Sequence, residues 1–258
     1  MLEPDRFFFV RPQRTASTTL IRRMTHYFGE AAIYPAPSDR RSGDPPGEAA
    51  TSADRLVEQL TARSDEVRVV AGHFPLSVAS LLECELRTFI VLRDPVERTL
   101  SWLRQRSRKA AKDLGMSLED IYNRRGIFRG LWGQNHFTKM LSVTTDELVG
   151  GIAGGLRRVH MTPDRLDRAK ANLVSLNLVG IQERFEEFCD DLNEHFGWSL
   201  GREPRRENTS EPMAVSDAFR ERIAVDNAAD VEVYQLARRL VDERHPAAPS
   251  NRDRPGVR

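Results

Sequence analysis

Cysteine is nearly missing from this chain. Cys84 and Cys189 are the two among 258 residues, too few for a disulfide scaffold or a four-cysteine zinc site. Lysine is scarce too: Lys109, Lys112, Lys139 and Lys170 are four of 39 basic residues. Such an arginine bias accompanies GC-rich genomes and points to a bacterial source. No run of about 18 apolar residues occurs, which argues against a membrane span. The first apolar run, Phe7 to Val10, is too short for the core of a signal peptide, so a cytoplasmic protein is expected. A charge excess is also absent, since 39 basic residues meet 38 acidic ones for a formal net charge of +1. A global field of the kind that coats nucleic acid is thereby excluded, while a local basic site is not. The six histidines (26, 73, 136, 160, 195 and 245) show no His-x-x-x-His spacing, and no metal is expected.

What is present suits a folded domain. Apolar residues make up 40% and charged residues 30%, enough to build a core. The length fits one or two domains at roughly 150 residues each. Short apolar runs predict buried strands at 7–10, 67–71, 87–92 and 176–180. Helical periodicity places helices at about 20–28, 54–63, 96–112, 183–196 and 216–244, with a long, mostly helical stretch up to about 175. Asp94 is the expected cap before Pro95. Residues 35–54, rich in Pro, Gly and Ser, read as an exposed loop or insertion, and 246–258 as a flexible tail. Strands alternating with helices argue a single α/β domain with a mostly parallel central sheet flanked by helices. Its ligands would sit at the carboxyl ends of the strands.

The segment between the first strand and the first helix is the most informative. Arg14-Thr15-Ala16-Ser17-Thr18-Thr19 opens a helix, where unpaired N–H groups and the positive dipole end favour an anion. Small residues permit close approach, hydroxyls add donors, and Arg14 adds a fixed charge, as a phosphate or sulfate cradle requires. A Ser/Thr-rich helix cap is the plainer alternative. Neither the Walker A pattern nor a dinucleotide glycine fingerprint is present.

With Phe8-Phe9-Val10 and Pro12 before it, Arg14 to Leu20 resembles the 5′-phosphosulfate loop of the sulfotransferases. It is most similar to the carbohydrate branch that includes the heparan sulfate 2-O-sulfotransferases. Two departures stand out: Arg14 replaces the usual lysine, and one extra residue separates it from Pro12. Arg93-Asp94-Pro95-Val96-Glu97-Arg98, with Ser101 after it, resembles the family's 3′-phosphate element, whose Arg and Ser correspond to Arg93 and Ser101. Gly72-His73-Phe74-Pro75 is similar to the turn that carries the general base in the 2-O branch. His73 is therefore the candidate base, with a structural histidine as the alternative. Asn135 to Leu141, Ala169 to Phe185 and Asp230 to Tyr234 match further segments. Arg205 to Ser210 matches a loop closing over the nucleotide, which adds Arg206 and Thr209 to the cofactor-binding set.

The resemblance implies a P-loop-like sulfotransferase domain over 1–245. Its donor would be 3′-phosphoadenosine-5′-phosphosulfate, its product adenosine 3′,5′-bisphosphate, and it would need no metal. Thr15, Ala16, Ser17, Thr18 and Thr19 with Arg14 would hold the phosphosulfate end, and Arg14 would also act in catalysis. Arginine cannot plausibly lose its proton, so that action is electrostatic. The acceptor would be a hydroxyl-bearing sugar, glycolipid or small natural product. Two alternatives stay open: a nucleotide-binding protein without catalysis, and a nucleotide-dependent kinase, which magnesium dependence would distinguish. Arg104, Arg106, Arg108, Lys109 and Lys112 read as a guide for an anionic acceptor or as a solvated face. Trp102 and Trp132 read as cleft lining or as core, and the oligomeric state is not encoded legibly.

Overall fold

Five apolar strand segments, each buried on both faces, set the architecture of the computed structural model. It describes residues 5–45, 47–114, 116–124, 134–202 and 215–246. The strands are β1 (Arg6–Val10), β2 (Ile33–Tyr34), β3 (Val69–Val70), β4 (Leu86–Leu92) and β5 (Leu178–Ile181). They form one all-parallel sheet in the order β2-β3-β1-β4-β5. Alternation sorts the side chains of β1 and β4 between two cores. Phe8, Val10, Ile90 and Leu92 face one core; Phe7, Phe9, Phe89 and Val91 face the other. Both layers are closed by helices, as a parallel sheet requires.

The helices are α1 (Ser17–Phe28), α2 (Ala53–Ala62), α3 (Pro95–Leu114), α4 (Leu118–Asn123), α5 (His136–Ser142), α6 (Ile152–Arg158), α7 (Pro163–Ser175), α8 (Phe185–Phe196), α9 (Asp217–Asp226) and α10 (Ala228–Arg244). Leu20 and Met24 of α1 and Phe188 and Leu192 of α8 cover one face. Phe137 of α5, Leu173 of α7 and Val233 of α10 cover the other. A third cluster packs Leu100, Trp102 and Leu103 of α3 against Ile121 of α4 and Phe219 and Ile223 of α9. Among the described residues no helix is long and apolar enough to cross a membrane.

All four expected strands are present with shifted ends, the run at 67–71 yielding only the two-residue β3. The edge strand β2 was not anticipated. The segment at 35–54 is only partly exposed. Ala36, Asp39 and Ala49 are buried, and Asp39 accepts from Arg63 at 2.5 Å and from the Ala36 N–H at 2.6 Å. The helix expected over 216–244 is two helices, because Asn227 interrupts it. Its Nδ2 donates to the Ile223 carbonyl at 2.8 Å, and its Oδ1 accepts from the Asn135 N–H at 3.0 Å.

Sheet order also fixes where a ligand can sit. From β1 the chain runs to β2 and β3 on one side of the sheet. After β3 it crosses to β4 and continues outward to β5. The loops leaving β1 and β4 therefore part in opposite directions, and the crevice between them is the switch point of the sheet. Its two walls are residues 11–16 and the Arg93-Asp94 turn.

Candidate anion site at the sheet switch point

The loop after β1 holds two non-glycine residues at positive φ, Arg14 at 69° and Ala16 at 57°. Ala16, not a hydroxyl residue, caps α1, and it does so in the left-handed conformation without a side-chain bond. Its carbonyl accepts from Thr19 and Leu20. The N–H groups of Ser17 and Thr18 stand ahead of these bonds, as a helix start presents them to an anion. The hydroxyls do not all point outward as expected. Thr15 is fully buried and donates to the Pro12 carbonyl at 3.0 Å, so its hydroxyl shapes the loop from inside. Ser17 Oγ accepts from Arg11 Nε at 3.2 Å. Thr18 is exposed and Thr19 half-buried.

The second wall starts with a capped helix. Asp94 Oδ1 accepts from the N–H groups of Val96 and Glu97 at 3.0 Å each. This pins the start of α3 and aims its first two turns at the β1 loop. Arg14 reaches across to Ser101, donating to its Oγ from Nε at 3.1 Å and from Nη2 at 3.0 Å. Arg93 Nη1 lies 3.5 Å from the Arg14 carbonyl oxygen. Three residues singled out in separate motifs thus meet. Burial lowers the pKa values of Arg14 and Arg93 below the ordinary arginine value. Repulsion adds to this at Arg14, from Arg93 and Arg108. Arg14, Arg93 and Arg108 crowd one place, which favours an anion there, while Asp94, Glu97 and Glu183 offset part of the charge of Arg93.

His73 lies on the other side of the β1 loop. Its Nδ1–H donates to the Arg11 carbonyl at 3.0 Å, because a carbonyl can only accept. In the neutral ring this leaves Nε2 as the basic nitrogen. Its backbone N–H donates to the Ala50 carbonyl at 2.7 Å, which ties the turn to the 48–50 segment. Gly72 before it has no room for a side chain: a Cβ there would lie 2.1 Å from the Phe74 ring. Burial, and then the charge of Arg11, lower the pKa of His73 to about 4, so the ring is neutral at pH 7.

Several contributors escaped the sequence reading. Arg11 follows β1 directly, and an arginine at the carboxyl end of a central strand was the available signal. Glu183 accepts from the Asp94 N–H at 3.0 Å and is bonded to Tyr234. Glu97 pairs with Arg220 at 2.7 Å and lies 3.9 Å from Arg104, holding α9 beside the second wall. Trp102 is core, with Arg106 5.8 Å from its ring. Arg206, Thr209, Trp132 and the tail from 247 lie outside the described residues, as do the side chains of Lys109 and Lys112. Among the described residues no three His, Cys, Asp or Glu side chains gather where they could share a metal ion.

No protein-family model matches this chain. No curated protein sequence matches it either. Solved structures do: a crystal structure of a sulfotransferase from Alicyclobacillus acidocaldarius superposes with a TM-score of 0.53 at 16% identity, covering 90% of this chain and 94% of that one. At that identity the likeness establishes the fold: a parallel α/β domain on the architecture of a sulfotransferase.

Proposed function

We propose that this chain is a sulfotransferase that uses 3′-phosphoadenosine-5′-phosphosulfate and acts on a hydroxyl-bearing acceptor, a sugar or other alcohol. One observation carries the reading. Arg14, Arg93 and Ser101 converge at the sheet switch point, with His73 joined to the same loop through Arg11. The shared architecture supports it. The bias of arginine over lysine supports a bacterial source, and scarce cysteine suits a cytoplasmic setting.

The residues present fit such a donor. The N–H groups at Ser17 and Thr18 would hold its phosphosulfate end, with Ala16 and Thr19 shaping the approach. Arg93 and Ser101 would hold the 3′-phosphate, through guanidinium and hydroxyl donors suited to it. When bound, the donor supplies a sulfuryl group that the acceptor oxygen takes up as the bond to the 5′-phosphate oxygen breaks. His73 Nε2 accepts the proton of the acceptor hydroxyl. Arg14 stays protonated and stabilises the charge that builds on the departing phosphate oxygen. No residue of the chain needs to become covalently modified.

A thermal melt with adenosine 3′,5′-bisphosphate and with ADP, each with and without magnesium, tests this reading. At about 100 times the dissociation constant a ligand of the folded state adds roughly 2.7 kcal/mol. That corresponds to a rise of about 5–10 °C for a chain of this size. A rise with the bisphosphate, indifferent to magnesium, is expected. A rise confined to ADP with magnesium would replace the proposal with a kinase. Next, His73→Ala is expected to abolish transfer of labelled sulfuryl while bisphosphate affinity stays the same. Lost affinity in that variant would make His73 structural.

A further inference from the structure

Arg11 occupies an unusual position for a half-buried cation. Its guanidinium donates to two neutral oxygens, Ser17 Oγ at 3.2 Å and the Ala71 carbonyl at 3.2 Å. Among the described residues no carboxylate pairs with it, and burial lowers its pKa to about 10. It remains charged at pH 7 with no counter-ion beside it among the described residues, and a charge taken part of the way out of water without one is costly. The same residue touches both halves of the site. Its side chain reaches the first turn of α1, where the anion loop ends. Its main-chain carbonyl accepts the Nδ1 proton of His73 at 3.0 Å.

We infer that Arg11 is a positioning residue that couples occupancy of the anion loop to the basicity of His73. Two effects act together. The carbonyl fixes the tautomer, so that Nε2 is the nitrogen able to take a proton. The guanidinium charge opposes an imidazolium at the same place. Arg11 is a charged group whose field reaches the ring, and the residues of the turns around it, Ala50, Gly72, Phe74 and Pro75, add none of their own. In the empty chain His73 is therefore a weak base. An anion beside Ser17 becomes the missing counter-ion of Arg11. The repulsion felt by a protonated ring is then offset, and Nε2 becomes a better proton acceptor when the loop is filled. The base would thus be strongest when there is a donor to react with. That catalytic consequence rests on the sulfuryl-transfer reading, whereas the coupling itself does not.

The experiment is a titration of His73 by nuclear magnetic resonance, using ring nitrogen and Cε1 shifts, on the full chain at fixed ionic strength. Four samples are compared: wild type and Arg11→Gln, each with and without a saturating anion. The substitution keeps the main-chain carbonyl, so the Nδ1 bond survives and only the charge is lost. Inorganic sulfate is the probe, with adenosine 3′,5′-bisphosphate in parallel. Free wild type is expected to show the Nδ1–H tautomer and to titrate well below the ordinary imidazole value near 6.5. Anion binding should move that titration upward. Arg11→Gln should titrate higher in the free state and lose most of the anion-dependent shift. Three results would overturn the coupling: an Nε2–H tautomer in wild type, a titration unmoved by either anion, or equal shifts in wild type and Arg11→Gln. Should Arg11→Gln not fold, the two wild-type results still decide. A sulfate response without a bisphosphate response would keep the coupling and count against the donor. Where transfer activity is measurable, the acid limb of its pH profile should lie higher in Arg11→Gln than in wild type.

Discussion

Arg14 and Ala16 carry the conformational strain of the site. A left-handed conformation costs an L-residue roughly 1–2 kcal/mol, and a glycine adopts it freely at some entropic expense of its own. Ala16→Gly is therefore expected to stabilise the chain by about 0.5–1 kcal/mol, read as a rise of roughly 2 °C in melting temperature. A lower melting temperature would mean that Ala16 bears no strain. Arg14 makes both of its side-chain bonds to Ser101, so its removal frees that hydroxyl as well as deleting a charge. Arg14→Ala should lower turnover on the order of 10²-fold, by analogy with loss of one transition-state donor. Steady-state kinetics with unchanged turnover would remove Arg14 from the chemistry. The neighbouring Thr15 shows why residue type alone misleads. It has the hydroxyl an anion site calls for, yet spends it on Pro12.

Among the elements, the joint between α5 and α10 has the clearest energetic consequence. Asp230 is fully buried and accepts from the Phe137 N–H at 3.1 Å, the Thr138 N–H at 2.8 Å and the Thr138 hydroxyl at 2.9 Å. It caps a helix that has no capping side chain of its own. The buried cations Arg98 and Lys139 lie within its field. Asp230→Ala should cost about 3–5 kcal/mol, as breaking a buried charge arrangement does, and denaturant unfolding would measure it. A loss below about 1 kcal/mol would show that the two cations are compensated elsewhere. Much at this scale was legible in the sequence. The runs around Phe7, Phe89 and Leu178 are long enough to read as buried strands, and Asp94-Pro95 marks a helix start by chemistry alone. Ile33–Tyr34 is too short to stand out. The break at Asn227 depends on Asn135, far away in the chain, and no local pattern reveals such a partner. The same applies to the site. Arg14, Arg93, Ser101 and His73 sit in recognisable motifs, whereas the place of Arg11 becomes meaningful only once β1 and β3 are side by side.

For the whole molecule, pH is the sharpest probe. His73 has a folded value of about 4 against about 6.5 in an unfolded chain. The unfolded chain binds that proton first, so stability is full above about pH 6.5 and declines toward pH 4. Glu147, bonded by Arg165, is lowered to about 2 from an ordinary value near 4.5. Its contribution is lost as pH falls from about 4.5 to 2. Melting temperature should therefore fall in two overlapping stages on acidification, and His73→Gln should flatten the upper one. A wild-type upper stage that persists in that variant would place its cause elsewhere. The sheet order has a consequence for how the chain is born. The central strand is synthesised first, yet its pairs, Phe7 with Val69 and Phe9 with Phe89, join it to segments roughly 60 and 80 residues downstream. At about 5–20 residues per second, translation leaves Phe7-Phe8-Phe9-Val10 without its neighbours for several seconds. Such distant pairing slows folding, so this chain should depend on a holding chaperone at the ribosome more than a local helical bundle of equal length would.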